Sequence, residues 1–358
     1  MKVVFLVSPG VARGGGVLDY LSLLRAGLRS HGVAAETLAA PSAFGRTECS
    51  ISGALHDLGP DVISVPFVSY AFHRKGLVGG WETWFHALRG PWKVHWMFHE
   101  LWIGASIGAP LTDRMVGWLQ RRGIEKLLRA LPPDVVHTSN PVYRCMLREI
   151  AVDAAILPLF GNIPVVDDSG GESALRPELE SSGVDRKGCF CVGFFGAIHK
   201  PWQPDSFVPE LVQQAERMDK RAVVCSVGRP GRWAEQRWEE WEKRFPKVLW
   251  IRFGERSAED VSRVLQDLDV GLNTTPWALI NKSGSAAAMR EHGLPVIVLR
   301  DDFRLRGTET PEPMVDSGFH RWPGRPDVEW WNRALQTPPP FPHTVEGIAR
   351  RFVEAVLQ

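Results

Sequence analysis

Short, wholly apolar runs alternate along this chain with longer stretches whose apolar residues recur at helical spacing. Lys2–Val7 is a β-branched run closed by Pro9-Gly10, the pattern of a strand buried on both faces. After Gly14-Gly15-Gly16, residues Val17, Leu18, Leu21, Leu24 and Leu28 fall on one helical face, and Gly32 ends that helix. Further strands are predicted at Val33–Leu38, Asp61–Val65, Trp92–Phe98, Asp134–His137 and Ala154–Pro158. From Gly161 to Gly188 the chain turns polar around Asp167-Asp168-Ser169-Gly170-Gly171-Glu172-Ser173, which reads as a linker. The alternation then resumes, with strands predicted at Phe190–Phe195, Ala222–Val227, Val248–Arg252, Val270–Asn273 and Pro295–Leu299. Phe207–Met218, Ala258–Leu268 and Val345–Leu357 carry helical spacing, the last after the breaker Pro338-Pro339-Pro340. Strand–helix alternation implies parallel sheets with crossover helices, here as two α/β domains facing each other.

Length agrees, since 358 residues exceed one ordinary domain. With 42 basic and 41 acidic residues the charge is balanced, which argues against a nucleic-acid binder. The five cysteines are odd in number, and Cys189-x-Cys191 lacks neighbouring ligands for zinc, so reduced intracellular thiols are expected. The run Val3–Val7 is too short for a signal-peptide core and no stretch suits a membrane span, so a cytoplasmic protein is expected. One count is abnormal: 15 Trp against 3 Tyr.

Ligands of open parallel sheets bind beyond the strands' carboxyl ends. Four patches are placed there. Gly14-Gly15-Gly16 allows close backbone approach ahead of a helix N-terminus, although an unliganded glycine turn has the same pattern. Trp96-Met97-Phe98-His99-Glu100 ends a strand in two groups able to hydrogen-bond a hydroxyl or move a proton; a satisfied strand-end histidine is the alternative. Gly196-Ala197-Ile198-His199-Lys200 follows the second domain's first strand and reads as a phosphate contact or a solvated loop. Asn281-Lys282-Ser283-Gly284-Ser285 brings a cation, hydroxyls and backbone amides to a helix N-terminus, which suits phosphate, although a serine there can act only as N-cap. Asp267-Leu268-Asp269 matches a metal-binding Asp-x-Asp pattern but lies on an element boundary and is read as structural.

In this order these residues resemble the two-domain glycosyltransferases of the GT-B fold, and family 4 among them, over nearly the whole chain. The resemblance is carried by the glycine loop, Met97–Trp102, Val135–Asn140 and Phe194-Phe195-Gly196. It is most specific across Asp269–Asn273, Lys282–Ser285 and Gly293–Ile297. It implies Rossmann-like domains at 1–180, binding the acceptor, and 181–340, binding the nucleotide sugar, with 341–358 as a helix returning to the first. Ser283, Gly284 and Ser285 are thereby expected near the diphosphate with Lys282, Gly196, His199 and Lys200, and Gly15 and Gly16 near the reacting centre. His99 is expected to face the transferred sugar or the acceptor. The implied reaction moves a sugar from a UDP- or GDP-sugar to a hydroxyl or other nucleophile with neither cofactor nor metal. The base for an inverting reaction would come from His99, Glu100 or Asp19; in a retaining one His99 would orient the donor. The sequence departs from the family at Ile280 and Ala288, where glutamates are usual, and at Ala197, where arginine is common. The missing carboxylates keep open a non-catalytic nucleotide-sugar binder, and a nucleotide-sugar epimerase is a third reading of the same fold.

The implied partners are a nucleotide-sugar donor and a small-molecule, glycan or lipid-linked acceptor; the sequence does not set the oligomeric state. Trp81, Trp84, Trp92, Trp96, Trp102 and Trp118 surround the His99 strand and read as an aromatic acceptor wall or as core. Trp233, Trp238, Trp241 and Trp250 read as structural, the first three on an amphipathic helix packing on its sheet. Phe72–Val78 with Trp81 forms a basic, aromatic cluster expected to touch a membrane if the acceptor is lipid-linked.

Overall fold

A computed structural model of the chain describes residues 1–13, 15–40, 48–167 and 173–358. Gly14 and residues 168–172 of the expected linker lie outside this set. The described residues form two compact units. The first comprises Met1–Leu159, Phe303–Met314 and His343–Gln358; the second comprises Phe160–Asp302 and Val315–Pro342. The expected boundary at 180/181 therefore falls inside the second unit. The physical reason is burial: Leu175 and Leu179, on and beside the helix Arg176–Ser181, sit in that unit's core. The Leu175 amide also donates to Asp267 at 3.0 Å.

In the first unit, strands β1 (Lys2–Val7), β2 (Ala34–Ala39), β3 (Val62–Phe67), β4 (Lys93–Phe98), β5 (Val135–Thr138) and β6 (Ala155–Ile156) form one sheet. All neighbours pair in parallel in the order β2-β1-β3-β4-β5-β6. Every residue of β3 is buried, as its apolar run requires under helices on both faces. The terminal helix Val345–Leu357 closes this unit. Its Phe352 is fully buried, with its ring 6.1 Å from Phe5 and 4.9 Å from His95. Gly27 lets the helix Gly16–Ser30 approach it, since a Cβ there would come within 2.8 Å of Val345.

The second unit repeats the plan with β7 (Cys189–Phe195), β8 (Arg221–Val227), β9 (Leu249–Gly254), β10 (Val270–Pro276), β11 (Val296–Arg300) and β12 (Phe319–Arg321). The order is β12-β11-β10-β7-β8-β9, again parallel throughout. The chain reverses direction across the sheet between β7 and β10, so their carboxyl ends flank a crevice. Asp267 and Asp269 do not form a metal pair. Asp269 accepts from the Cys191 amide at 2.7 Å and from Arg186 at 3.1 Å, which ties the turn before β10 to β7. Burial keeps the neighbouring thiols protonated, pushing that of Cys191 up to about 12.

The tryptophans divide by burial. Trp81, Trp84, Trp92, Trp96 and Trp102 belong to the first unit's core, as do the nearby Val78 and Phe85, so they build no acceptor wall. Within the segment Phe72–Val78, His73, Arg74 and Lys75 are exposed, while the Trp81 ring packs edge-on to Phe72 at 5.1 Å and to Trp84 at 5.7 Å. Trp118 alone of that group points outward. Trp238 and Trp241, on the inner face of the helix Arg232–Arg244, are buried against Trp250 of β9, with Trp233 of the same helix partly buried beside them.

Candidate functional site

The second unit gathers its polar chemistry at the carboxyl ends of β7, β10 and β11. Gly196 follows β7 with φ of 75°, a conformation that favours glycine, and releases the chain toward His199. The backbone amide of His199 donates to Thr274 Oγ1 at 2.9 Å, and its Nδ1 lies 2.9 Å from the same oxygen. Arg300, the last residue of β11, donates to the Thr274 carbonyl at 3.2 Å and to Asp302 at 2.7 Å. Its Nε is buried and has no hydrogen-bond partner among the described residues. His199 remains accessible to solvent, yet partial desolvation lowers its imidazole pKa, and the charges of Arg300 and Lys282 lower it further. Three groups that carry or accept positive charge thus share one neighbourhood.

The helix Gly284–Glu291 completes it. Ser283 is the N-cap and accepts from the Ala286 amide at 3.2 Å. Asn273 Nδ2 donates to Ser283 Oγ at 3.0 Å and to Ser285 Oγ at 3.3 Å, and the two hydroxyl oxygens lie 3.1 Å apart. Ser283 therefore does serve as a cap, and the network also fixes both hydroxyls beside the helix's positive end. A Cβ at Gly284 would be no closer than 3.9 Å to Asn162, whose buried Oδ1 has no partner among the described residues. The structure accordingly brings together Gly196, His199, Lys282, Ser283, Gly284 and Ser285; Lys200 follows His199 on the exposed loop. Sequence reasoning missed Asn162, Asn273, Thr274 and Arg300. Arg300 had a signal, as a charged residue closing the apolar run Val296–Leu299.

The glutamate-lacking positions are interior. Ile280 and Ala288 are buried in this unit's core. Gly161 packs so closely on Ala288 that a Cβ there would lie 2.7 Å from the Ala288 Cα, and its amide donates to Glu291 at 2.8 Å. A carboxylate at 288 would have no room.

In the first unit the polar groups lie at the ends of β1, β4 and β5. His99 follows β4, is 9% exposed, and donates its backbone amide to Phe67 at 3.1 Å. Tyr20 meets its ring edge-on at 5.0 Å, which joins the helix after the glycine loop to the end of β4. Burial pulls the His99 pKa down to about 4, so the ring is neutral near neutrality. Its Nε2 is buried without a partner among the described residues, and so are Ser8 Oγ, Ser139 Oγ and Asn140 Nδ2. Each such orphan costs about 1–3 kcal/mol unless something supplies its hydrogen bond. Gly15, at φ of 111°, and Gly16 face open space, since a Cβ at either meets nothing within 4 Å. Asp19 is exposed one residue before Tyr20, and Glu100 is half-buried.

Behind this edge a buried chain runs through the sheet. Ser64 Oγ lies 2.8 Å from His95 Nδ1, and His95 Nε2 lies 2.9 Å from His137 Nδ1. Burial lowers the pKa of both rings, with that of His137 near 4; the charge of Arg351 also lowers the His137 value.

Two units of this topology, each with its polar groups at the carboxyl edge of a parallel sheet, define the GT-B fold class. The chain is similar to the catalytic domain of starch synthase IV from Arabidopsis thaliana bound to ADP and acarbose. That likeness has 12% identity and a TM-score of 0.57, covering 99% of this chain and 98% of that one. It is also similar to the UDP-GlcNAc 2-epimerase of Neisseria meningitidis bound to UDP-GlcNAc, at 11% identity over 100% of both chains with a TM-score of 0.51. HepE of Anabaena, in complex with UDP and glucose, shares 15% identity over 83% of this chain and 80% of its own, with a TM-score of 0.50. No protein-family model and no curated protein matches the sequence, so the likeness is one of fold.

Proposed function

We propose that this chain is a glycosyltransferase that takes a sugar from a nucleoside diphosphate sugar and passes it to an acceptor hydroxyl. The observation that carries the reading is the cluster of Lys282, Arg300, His199 and the capped helix N-terminus at the β7/β10 reversal. A diphosphate is the ligand such a cluster suits, because cations, hydroxyls and helix amides all favour an anion with several acceptor oxygens. The same groups stabilise the charge that develops on the diphosphate when its bond to the anomeric carbon breaks. Solved proteins of this fold bound to ADP, UDP or a UDP-sugar support the assignment.

The first unit supplies the acceptor side in this reading. A pKa near 4 makes His99 a weak base at neutral pH, so its role is to hydrogen-bond a hydroxyl through Nε2, with Ser8, Ser139 and Asn140 also following strands at the carboxyl edge of the same sheet. Glu100 and Asp19 are then the carboxylates available to take the acceptor proton. His99→Ala should lower turnover at least about tenfold with nucleotide affinity nearly unchanged. Wild-type turnover in that variant removes the role.

The deciding experiment is a thermal-shift screen with UDP, GDP, ADP and their sugars. A ligand at about 100 times its Kd adds roughly 2.7 kcal/mol of stability, a shift of several degrees. A flat screen refutes the proposal. An epimerase is the second reading, favoured by full-length likeness to the Neisseria enzyme. Incubation with nucleotide sugar alone separates the two, since epimerisation needs no acceptor and releases no nucleotide.

A further inference from the structure

The helix Leu111–Ala130 in the first unit presents an apolar stripe to solvent. Leu111 is 71% exposed, Met115 70% and Trp118 57%, and Leu119 and the preceding Ile107 are also exposed. The spacing 111, 115, 118, 119 places them on one helical face.

This face cannot turn inward. On the opposite side, a Cβ at Gly117 would collide with the Ile103 carbonyl oxygen, and one at Gly123 would come within 2.9 Å of Val78. Gln120 is fully buried between them. It accepts from the Ile103 amide at 2.9 Å and donates to the Lys75 carbonyl at 2.8 Å and the Tyr70 hydroxyl at 3.2 Å. The helix is clamped by glycine contacts and a buried amide, and its large apolar side chains are fixed outward.

Basic residues surround the stripe. Arg114 lies within it, and the Arg122 guanidinium sits 5.6 Å from the Trp118 ring centroid. Arg304 is held beside Ile107 by a 2.8 Å backbone bond. The acidic neighbours include Asp113, on the helix, Glu82, which pairs with Lys126 at 3.5 Å, and Glu125 and Glu149. Glu125 pairs with Arg121 and Arg122, and Glu149 pairs with Arg121.

We propose that this stripe docks the chain on an anionic lipid bilayer. Leucine, methionine and tryptophan side chains would enter the headgroup–acyl boundary while the arginines meet lipid phosphates. Charge complementarity selects this occupant: arginines lie in and around a stripe of large apolar side chains, the composition of interfacial helices. The helix lies on the surface and does not span; no helix of the described residues is long and apolar enough to cross a membrane.

The test is co-sedimentation of the full chain with vesicles of phosphatidylcholine alone and of phosphatidylcholine mixed equally with phosphatidylglycerol. The wild type should bind the mixed vesicles at least about tenfold more tightly than the neutral ones, with the difference shrinking at high salt. The triple variant Leu111→Ser, Met115→Ser and Trp118→Ser changes exposed side chains only. It should lose at least about tenfold in binding, with its melting temperature and nucleotide-induced thermal shift unchanged. Arg114→Glu with Arg122→Glu should abolish the preference for anionic vesicles. Failure of the wild type to bind either vesicle, or equal binding by the triple variant, overturns the proposal. So does a concentration-dependent dimer lost in the triple variant without vesicle binding, which would assign the face to a second copy.

Discussion

Three buried neutral histidines in one unit make its stability depend on pH in a direction and size that can be worked out. An imidazole in the unfolded chain titrates near about 6.5. In the folded chain burial holds His99 and His137 down to about 4, and His95 well below its ordinary value. Between the folded and unfolded values the unfolded chain carries the extra protons, so stability rises with pH there. The stabilisation is full above the unfolded value and is lost as pH falls from there toward the folded one. Lowering the pH from about 7.5 to about 5 should cost about 2 kcal/mol for each of His99 and His137, or about 4 kcal/mol together. His95 adds to the loss. That is a large part of the roughly 5–15 kcal/mol that holds a typical domain together.

Urea unfolding at the two pH values, with histidine ring signals followed by NMR, measures this directly. His99→Phe keeps an aromatic ring against Tyr20 and removes the titration. It should reduce the acid-induced loss by about 2 kcal/mol. A His99 signal that titrates near its ordinary value, or a His99→Phe variant with the wild-type pH slope, would refute the reasoning. It would also return His99 to the list of effective bases and reverse the choice of a hydrogen-bonding role.

Arg300→Ala should weaken nucleoside diphosphate binding by roughly 10–150-fold, the value of one charge-assisted hydrogen bond, as read by calorimetric titration. An unchanged Kd would take Arg300 out of the diphosphate cluster. Arg290 is fully buried, bonded to Asp316 at 3.1 Å and to the carbonyls of Leu294 and Pro339. Arg290→Met should cost about 3–5 kcal/mol in urea unfolding because Asp316 is left uncompensated, and adding Asp316→Asn should recover part of that loss. Phe352→Ala should cost about 3–5 kcal/mol by opening a cavity against Phe5 and His95; a near-neutral result would mean that the terminal helix does not close the first unit.

The elements legible in the sequence were those whose burial forces their composition. β1, β3, β7 and β8 are almost wholly apolar because helices cover both faces, and such runs announce themselves. β12 escapes notice because it is an edge strand of three residues, Phe319-His320-Arg321, with one apolar member. The polar stretch before residue 180 resembles a linker because composition registers Asp167 and Ser173 but not that Leu175 and Leu179 are anchored in a core. Tryptophan content misleads for the same reason. A count places Trp96 and Trp118 in one group, whereas strand β4 turns the first into the core and the clamp at Gly117 and Gln120 turns the second outward.

The candidate sites follow a parallel rule. Lys282, Ser283, Gly284 and Ser285 were readable because one loop carries them in succession, so their chemistry is already contiguous in the chain. Thr274, Arg300 and Asn162 come from three segments that meet only when β10 pairs with β11 and Phe160–Asn162 packs against the helix Gly284–Glu291. Ser8, Ser139 and Asn140 are likewise unremarkable residues until parallel pairing brings the ends of β1, β4 and β5 to one edge of the sheet. A crossover fold delivers the end of every strand to the same edge, so a ligand there can be held by side chains far apart in sequence. The buried Nε of Arg300 and the buried Nε2 of His99 therefore carry more functional information than the motifs beside them. Folding has removed both from water without providing a protein partner, and a cost of about 1–3 kcal/mol each is one that a bound ligand would relieve.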